Sequence, residues 1–154
     1  MSLRLLVLAI VSFIHTGTSA ATTQRATPAH LVTKGGKALW DNTTEFRVHF
    51  HVHAVRSVPT IFPDETKHTI LHLVPRQEIP GRHDFTAPIS REFEATLKRI
   101  GIRDLRKHFT GRDIEVKGTV SATGLDLILS KTVWTYHISL RSLDQIVYLR
   151  YSKE

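Results

Sequence analysis

Apolar and polar residues alternate without interruption along the segment from Glu45 to Arg56. The apolar positions Phe46, Val48, Phe50, Val52 and Ala54 are separated by charged residues and histidines. Successive side chains of a β-strand point to opposite faces of the sheet, so a period of two predicts a strand with one buried and one solvated face. We therefore predict that this strand, with its aromatic and valine side chains facing the core, belongs to a β-rich domain.

The rest of the chain predicts one helix and several further strands. Ser90 is a good N-cap, and Phe93, Leu97 and Ile100 follow it at helical spacing. Gly101 comes directly after this run and is expected to end the helix. Runs of β-forming residues predict strands at 67–74, 83–89, 113–120, 125–129, 133–140 and 146–149.

The order of the predicted elements is three strands, one helix, and then two or three strands. This is the plan of the OB-fold, a five-stranded and partly open Greek-key barrel. Gly118 inside a predicted strand indicates a bulge or a sharp bend, and Pro59 and Pro63 predict a loop or broken strand over 58–65. We predict a mainly β, α+β domain: a five- to six-stranded OB-like Greek-key barrel with the helix between strands 3 and 4.

The first residues are typical of a secretory signal peptide. Arg4 gives the N-terminus a positive charge, residues 5–14 are apolar apart from Ser12, and 18–20 are small residues that fit a cleavage site. The apolar run is shorter than the roughly 20 residues of a membrane span. We expect residues 1–20 to be removed, which predicts a secreted or periplasmic protein without stable membrane insertion.

Composition limits how the fold can be stabilised and which binding partners its charge favours. The chain contains no cysteine, so burial and strand pairing must hold the fold together without disulfides. Residues 21–38 are rich in Thr, Ala, Lys and Gly and are predicted as a flexible leader with a short ordered turn near 29–34, followed by a single domain over 39–151. The net charge of +7 favours anionic partners, although many soluble proteins carry such a charge for solubility alone.

Three histidines on the polar face of the first strand form a candidate metal site. His49, His51 and His53 point to the same side and lie about 7 Å apart from one to the next. Histidine is the commonest metal ligand, and zinc or copper would suit such a site outside the cell. Since side chains spread along one strand rarely converge on one ion, a site would need a further ligand such as His68 or His72, and a solvated polar face is the alternative interpretation.

Other residues are candidates for contact with a ligand. Trp134 and Tyr136 share a strand face and could form a stacking platform, although such pairs are more often core, and Tyr148 is a further aromatic candidate. Arg47 lies on the polar face of the first strand and is also a candidate. A basic run could bind phosphates but is expected at the barrel end that the helix plugs: Lys98, Arg99, Arg103, Arg106, Lys107 and Arg112.

Several short segments resemble a family of small exported OB-fold-like domains of planctomycete-type bacteria. Phe109–Val120 matches its F-x-G-[KR]-x-I-x-V-x-G-x-V stretch, Tyr136–Ile146 its closing I-x-[VL]-x-[DS]-x-x-Q-I pattern, and Asp84–Thr86 the start of its N-F-T-V-x-I strand. The likeness covers roughly residues 29–149. It departs in a longer hairpin over Leu125–Thr132 and in an altered loop from Pro75 to Gly81. The resemblance implies an OB-type barrel with a nucleic-acid-binding-like heritage.

Sequence alone favours a binding module over an enzyme. No nucleophilic cysteine, G-x-S-x-G elbow or phosphate loop occurs, and the acidic residues are scattered. We therefore expect an exported, non-enzymatic module, with no required cofactor, for an anionic polymer such as nucleic acid or acidic glycan, or for a protein partner. A histidine-based metal-binding protein and a secreted nuclease are the alternatives.

Overall fold

The computed structural model describes residues 23–33, 44–61, 66–76, 84–127 and 131–151. The elements are, in chain order, β1 (Thr23–Ala26), α1 (Pro28–Thr33), β2 (Glu45–Ile61), β3 (Lys67–Pro75), β4 (Asp84–Ile89), α2 (Arg91–Arg99), α3 (Leu105–Phe109), β5 (Arg112–Thr119), β6 (Ser121–Leu127), β7 (Lys131–His137), a 3₁₀ helix (Leu143–Gln145) and β8 (Ile146–Tyr151). The prediction of a mainly β chain with few helices is confirmed. The proposed signal sequence lies outside the described residues.

The strands form one mixed sheet in the order β6–β7–β4–β3–β2–β5–β8. The long strand β2 is shared, because its first half pairs antiparallel with β5 and its second half antiparallel with β3. β4 and β7 are parallel neighbours, and β1 runs parallel to the start of β2. Val120 alone separates β5 from β6 along the chain.

A β-bulge at His53 changes which residues of β2 face the core. Phe46, Val48, Phe50 and Val52 are buried as predicted. Val52 pairs with Pro75 and Ala54 with Val74, so His53 is an extra residue on β2. Such a residue shifts the alternation by one position. The inward position of Ala54 was therefore predicted wrongly, and Val55, only 6 % exposed, fills the core instead.

The end of β2 also differs from the prediction. Residues 58–61, predicted as part of a loop or a broken strand because of nearby prolines, continue the strand to Ile61. Pro59 is opposite Thr69 of β3, and among the described residues this half of β2 pairs with β3 alone. A proline, which lacks the N–H donor, is tolerated where one edge of a strand has no neighbour to satisfy.

The core lies between the inward face of the sheet and the helices. Phe93 and Leu97 of α2 and Leu105 and Phe109 of α3 are buried against it. Leu31 of α1 is 0 % exposed and belongs to the same cluster. The segment predicted as a flexible leader thus carries a strand and a helix over 23–33, and it contributes a side chain to the core.

Helix α2 begins and ends as its sequence predicts. The Ser90 hydroxyl accepts a hydrogen bond from the backbone N–H of Phe93. At the other end Gly101 has φ 98°, and the N–H of Ile102 donates to the carbonyl of Leu97 at 2.9 Å. Glycine adopts this left-handed conformation without a steric penalty, which explains the stop at this position.

Gly118 permits close packing between β5 and the segment after β7. A Cβ atom at this position would lie 2.8 Å from Cγ2 of Ile138 and 3.3 Å from Nε2 of Gln145. The segments that end at Val120 and at Ile146 therefore meet here through packing. Within the described residues no helix is long and apolar enough to cross a membrane.

Candidate functional site

A row of polar side chains crosses the outer face of four neighbouring strands. Beyond the bulge in β2, Arg56 points outward and pairs in register with His72 of β3. Thr86 of β4 is the register partner of His137 on β7. Each of these residues has at least one buried neighbour in its strand, and none of the four is itself buried, which places their side chains on the solvent side. We call Arg56, His72, Thr86 and His137 the polar row.

The two imidazoles of the polar row are half-buried and close to hydrogen-bonding partners. Nδ1 of His72 lies 3.1 Å from the Thr86 hydroxyl oxygen. Burial, and then the nearby His137, lower the pKa of His72 from its usual value. Burial also lowers the pKa of His137, against a smaller opposing effect of a backbone hydrogen bond at Thr135. At neutral pH both rings are therefore uncharged and can each donate one hydrogen bond and accept another.

Positive charge lies within the polar row, at Arg56, and farther along β3, where Arg91 contacts His68. Arg91, at the start of α2, holds its Nη1 3.2 Å from Nε2 of His68 on β3. Neither β3 nor residues 46–61 of β2 contain an aspartate or glutamate. No carboxylate of β3 or of that part of β2 therefore opposes the guanidinium of Arg56, and an anion could approach it.

The three histidines predicted as metal ligands are exposed and have separate surroundings. Nδ1 of His51 lies 3.0 Å from a carboxylate oxygen of Asp113. His53 is the extra residue of the β-bulge. In the part of the chain that the structure describes, no three His, Cys, Asp or Glu side chains are grouped so that they could hold a metal ion.

His49 lines a shallow notch between the N-terminal segment and β2. The notch has a volume of about 310 Å³, and Arg25, Ala26, Thr27 and His30 form its other walls. Because the Arg25 guanidinium repels cations, it makes the notch a poor place for a metal ion.

The structure shows different surroundings for the other predicted ligand residues. Nη1 of Arg47 lies 3.6 Å from a carboxylate oxygen of Glu115, an ion pair on the outer face. Tyr136 is 4 % exposed and belongs to the core, because it alternates with the outward His137, so it presents no ring face to a ligand. The side chain of Trp134 lies outside the described residues.

A second polar cluster surrounds Tyr148 on β8. The residue is 42 % exposed, and its ring lies nearly parallel to the buried ring of Phe109, at 15° and with 6.3 Å between the centroids. Nε2 of His108 lies 3.3 Å from the Tyr148 hydroxyl and 3.3 Å from Nη1 of Arg112. The sequence marks Tyr148 as an aromatic candidate and Arg112 as the end of a basic run, but it gives no sign that the two are neighbours. That they meet depends on the pairing of β5 with β8.

Comparison with protein-family models found no match, and comparison with curated proteins found none either. The function must therefore be inferred from the chemistry of the polar row and the surfaces around it.

Proposed function

We propose that this protein is an exported, non-enzymatic binding module with an OB-like barrel, and that it binds an acidic polysaccharide across the polar row. The observation that carries this proposal is the alignment of Arg56, His72, Thr86 and His137 on one outer face. The uncharged imidazoles and the hydroxyl suit sugar hydroxyls, and the guanidinium suits a carboxylate or sulfate.

The strand order supports the OB-like part of the proposal. In chain order β2, β3 and β4 precede α2, and the strands β5 to β7 follow it. The long β2 pairs on both sides, β7 returns parallel to β4, and β5 continues into β6 through Val120. An OB-fold binds oligonucleotides or oligosaccharides on its second and third strands. Their counterparts here are β3 and β4, which carry the centre of the polar row.

The side chains on this face favour a polysaccharide over single-stranded nucleic acid. Proteins that bind single strands stack successive bases on aromatic rings. β3 contains no Phe, Tyr or Trp, and Phe85 of β4 is buried. The predicted signal peptide further supports an extracellular or periplasmic polymer, because it would remove the protein from the cytoplasm.

Binding of polyanions to the polar row is testable with three polysaccharide probes. Isothermal titration with heparin, polygalacturonate and neutral dextran should give binding to one or both acidic polymers and none to dextran. Polyanion binding should weaken as salt rises from about 50 to 200 mM. A single-stranded DNA of mixed sequence serves as the competing ligand.

Two charge reversals locate the site. Arg56→Glu should weaken polyanion binding about tenfold or more, while Arg103→Glu, an equal change at an exposed site off this face, should change it less than about threefold. No binding of either acidic polymer at low salt would overturn the proposal. Equal losses from the two reversals, or tighter binding of the DNA, would overturn it as well.

A further inference from the structure

Tyr148 is an exposed aromatic ring held on a buried support. The other Phe and Tyr side chains that the structure describes are buried, whereas Tyr148 is 42 % exposed. Phe109 lies behind it with a nearly parallel ring, and the His108 ring meets Tyr148 edge-on at 87°, with the centroids 5.8 Å apart. A ring supported in this way loses little conformational entropy when a ligand stacks on it.

Hydrogen bonds fix the orientation of the ring and of a neighbouring cation. Burial, and then Arg112, lower the pKa of His108, so its imidazole is neutral at pH 7 and Nε2 has one lone pair, which the Tyr148 hydroxyl and the Arg112 guanidinium share. Burial raises the pKa of Tyr148, so its hydroxyl keeps the proton that it can donate. Both the Tyr148 hydroxyl and the Arg112 guanidinium lie 3.3 Å from this nitrogen.

We propose that Tyr148 and Arg112 form a subsite for a single uronate residue, a pyranose ring that carries a carboxylate. The guanidinium carbon of Arg112 lies 5.6 Å from the centre of the Tyr148 ring. The guanidinium lies over part of the ring, so the sugar would pack its apolar face on the part of the ring that stays exposed while its carboxylate pairs with the guanidinium. One exposed aromatic fits one sugar ring, whereas single-stranded nucleic acid requires a series of stacking rings.

The choice of a uronate as ligand rests on the proposed polysaccharide function. The location of the subsite does not, because it lies away from the polar row. Tyr148 is on β8, which is four strands away from β4 along the sheet path. A long acidic polymer could contact both surfaces, and a monosaccharide would report on the uronate subsite alone.

The experiment uses sodium glucuronate and glucose as probes, monitored by NMR of the whole chain. Glucuronate should shift the ring signals of Tyr148 and the guanidinium signals of Arg112, and glucose at the same concentration should not. Tyr148→Leu should weaken glucuronate binding about tenfold or more, and Tyr148→Phe less, because the ring remains. Val147→Ala, a neighbouring change at a side chain that is 44 % exposed, should leave the affinity unchanged.

Thermal unfolding of each variant shows whether a loss of binding reflects a loss of fold. If Tyr148→Leu fails to fold, Arg112→Gln is the second test, and it should also weaken glucuronate binding because the guanidinium is lost. Glucuronate shifts that avoid Tyr148, or equal shifts with glucose, would overturn the inference. If glucuronate acts as expected while Arg56→Glu has no effect on polymer binding, the polar-row proposal fails and the subsite stands. If Arg56→Glu weakens polymer binding while glucuronate does not act at Tyr148, the uronate subsite is wrong and the polar-row proposal stands.

Discussion

The side-chain amide of Gln145 donates a hydrogen bond to the backbone carbonyl of Lys117, 3.0 Å away on β5. The same nitrogen donates to the carbonyl of Ser139 at 3.1 Å. The side-chain oxygen accepts from the backbone N–H groups of Arg141 and Ser142, at 2.7 and 3.2 Å. One side chain thereby ties β5 to the segment that joins β7 and β8.

Gln145→Ala should lower the free energy of unfolding by about 1–3 kcal/mol, because it leaves partly buried backbone groups without partners. Gln145→Glu should be no milder, since a carboxylate would face the carbonyls of Lys117 and Ser139 that the amide now serves. Urea denaturation measures both. Leu143→Ala, an exposed change in the same 3₁₀ helix, is the control, and a cost equal to that of Gln145→Ala would contradict this role.

Because His53 is an extra residue in β2, deletions at two positions of this strand should differ in their cost to stability. Without His53, Val52 would still point inward, Ala54 outward and Val55 inward, because the regular alternation is restored. Without His51, Val52 would turn outward and His53 would enter the core. Deleting His53 should therefore cost clearly less stability than deleting His51.

The two deletions can be compared by thermal unfolding and by the fraction of soluble protein. Each removes one exposed histidine from the same strand, so composition and charge are matched. If both deletions destabilise the protein equally, then the extra residue at this point of β2 does not set the alternation.

Local patterns of sequence predicted local structure well in this protein. The alternation from Phe46 to Val52 and the Ser90 and Gly101 boundaries of α2 depend on near neighbours, and the structure confirms them. The bulge at His53 was missed because nothing within β2 marks it. It becomes visible only in the register against β3.

The candidate site could not be predicted because its residues are far apart in the chain. Arg56, His72, Thr86 and His137 come from four strands and meet only through strand pairing. The histidine triplet around His51 was conspicuous because neighbours in a strand are easy to see in sequence. Two of its members have separate surroundings: His51 lies beside Asp113, and His49 lines a notch with Arg25.

The burial of Leu31 indicates that the N-terminal segment is part of the folded domain. Its side chain is fully buried within the main hydrophobic cluster, although the surrounding sequence is typical of a linker. Leu31→Ala should lower the free energy of unfolding by about 2–5 kcal/mol, the usual cost of removing a buried leucine side chain. Thr27→Ala, a change at an exposed residue just before α1, should cost at most about 1 kcal/mol. Chemical denaturation distinguishes the two, and equal small losses would show that α1 does not pack on the core in solution.

We expect the protein to lose stability in mild acid, because the half-buried imidazoles of the polar row must then take up protons. His72 and His137 have lowered pKa values in the folded protein, chiefly through burial. Between these values and the unfolded value of about 6.5, the unfolded chain binds more protons than the folded one. Their contribution to stability is therefore complete above about pH 6.5 and is lost as the pH falls through the folded pKa values. His108, whose pKa is also lowered, adds to this dependence with the same sign.

Substitution of the two histidines should flatten this dependence. The free energy of unfolding, measured by urea denaturation from about pH 7.5 to 5, should fall less in His72→Gln and His137→Gln than in the unmodified protein. His53→Gln, which removes an exposed histidine from β2, is the control for the substitution itself. Over the same range, protonation of His72 and His137 places new positive charge on the polar row, so heparin binding should tighten while the fold weakens. A slope unchanged in both row variants, or heparin binding that does not respond to pH, would show that these imidazoles do not titrate as their burial requires.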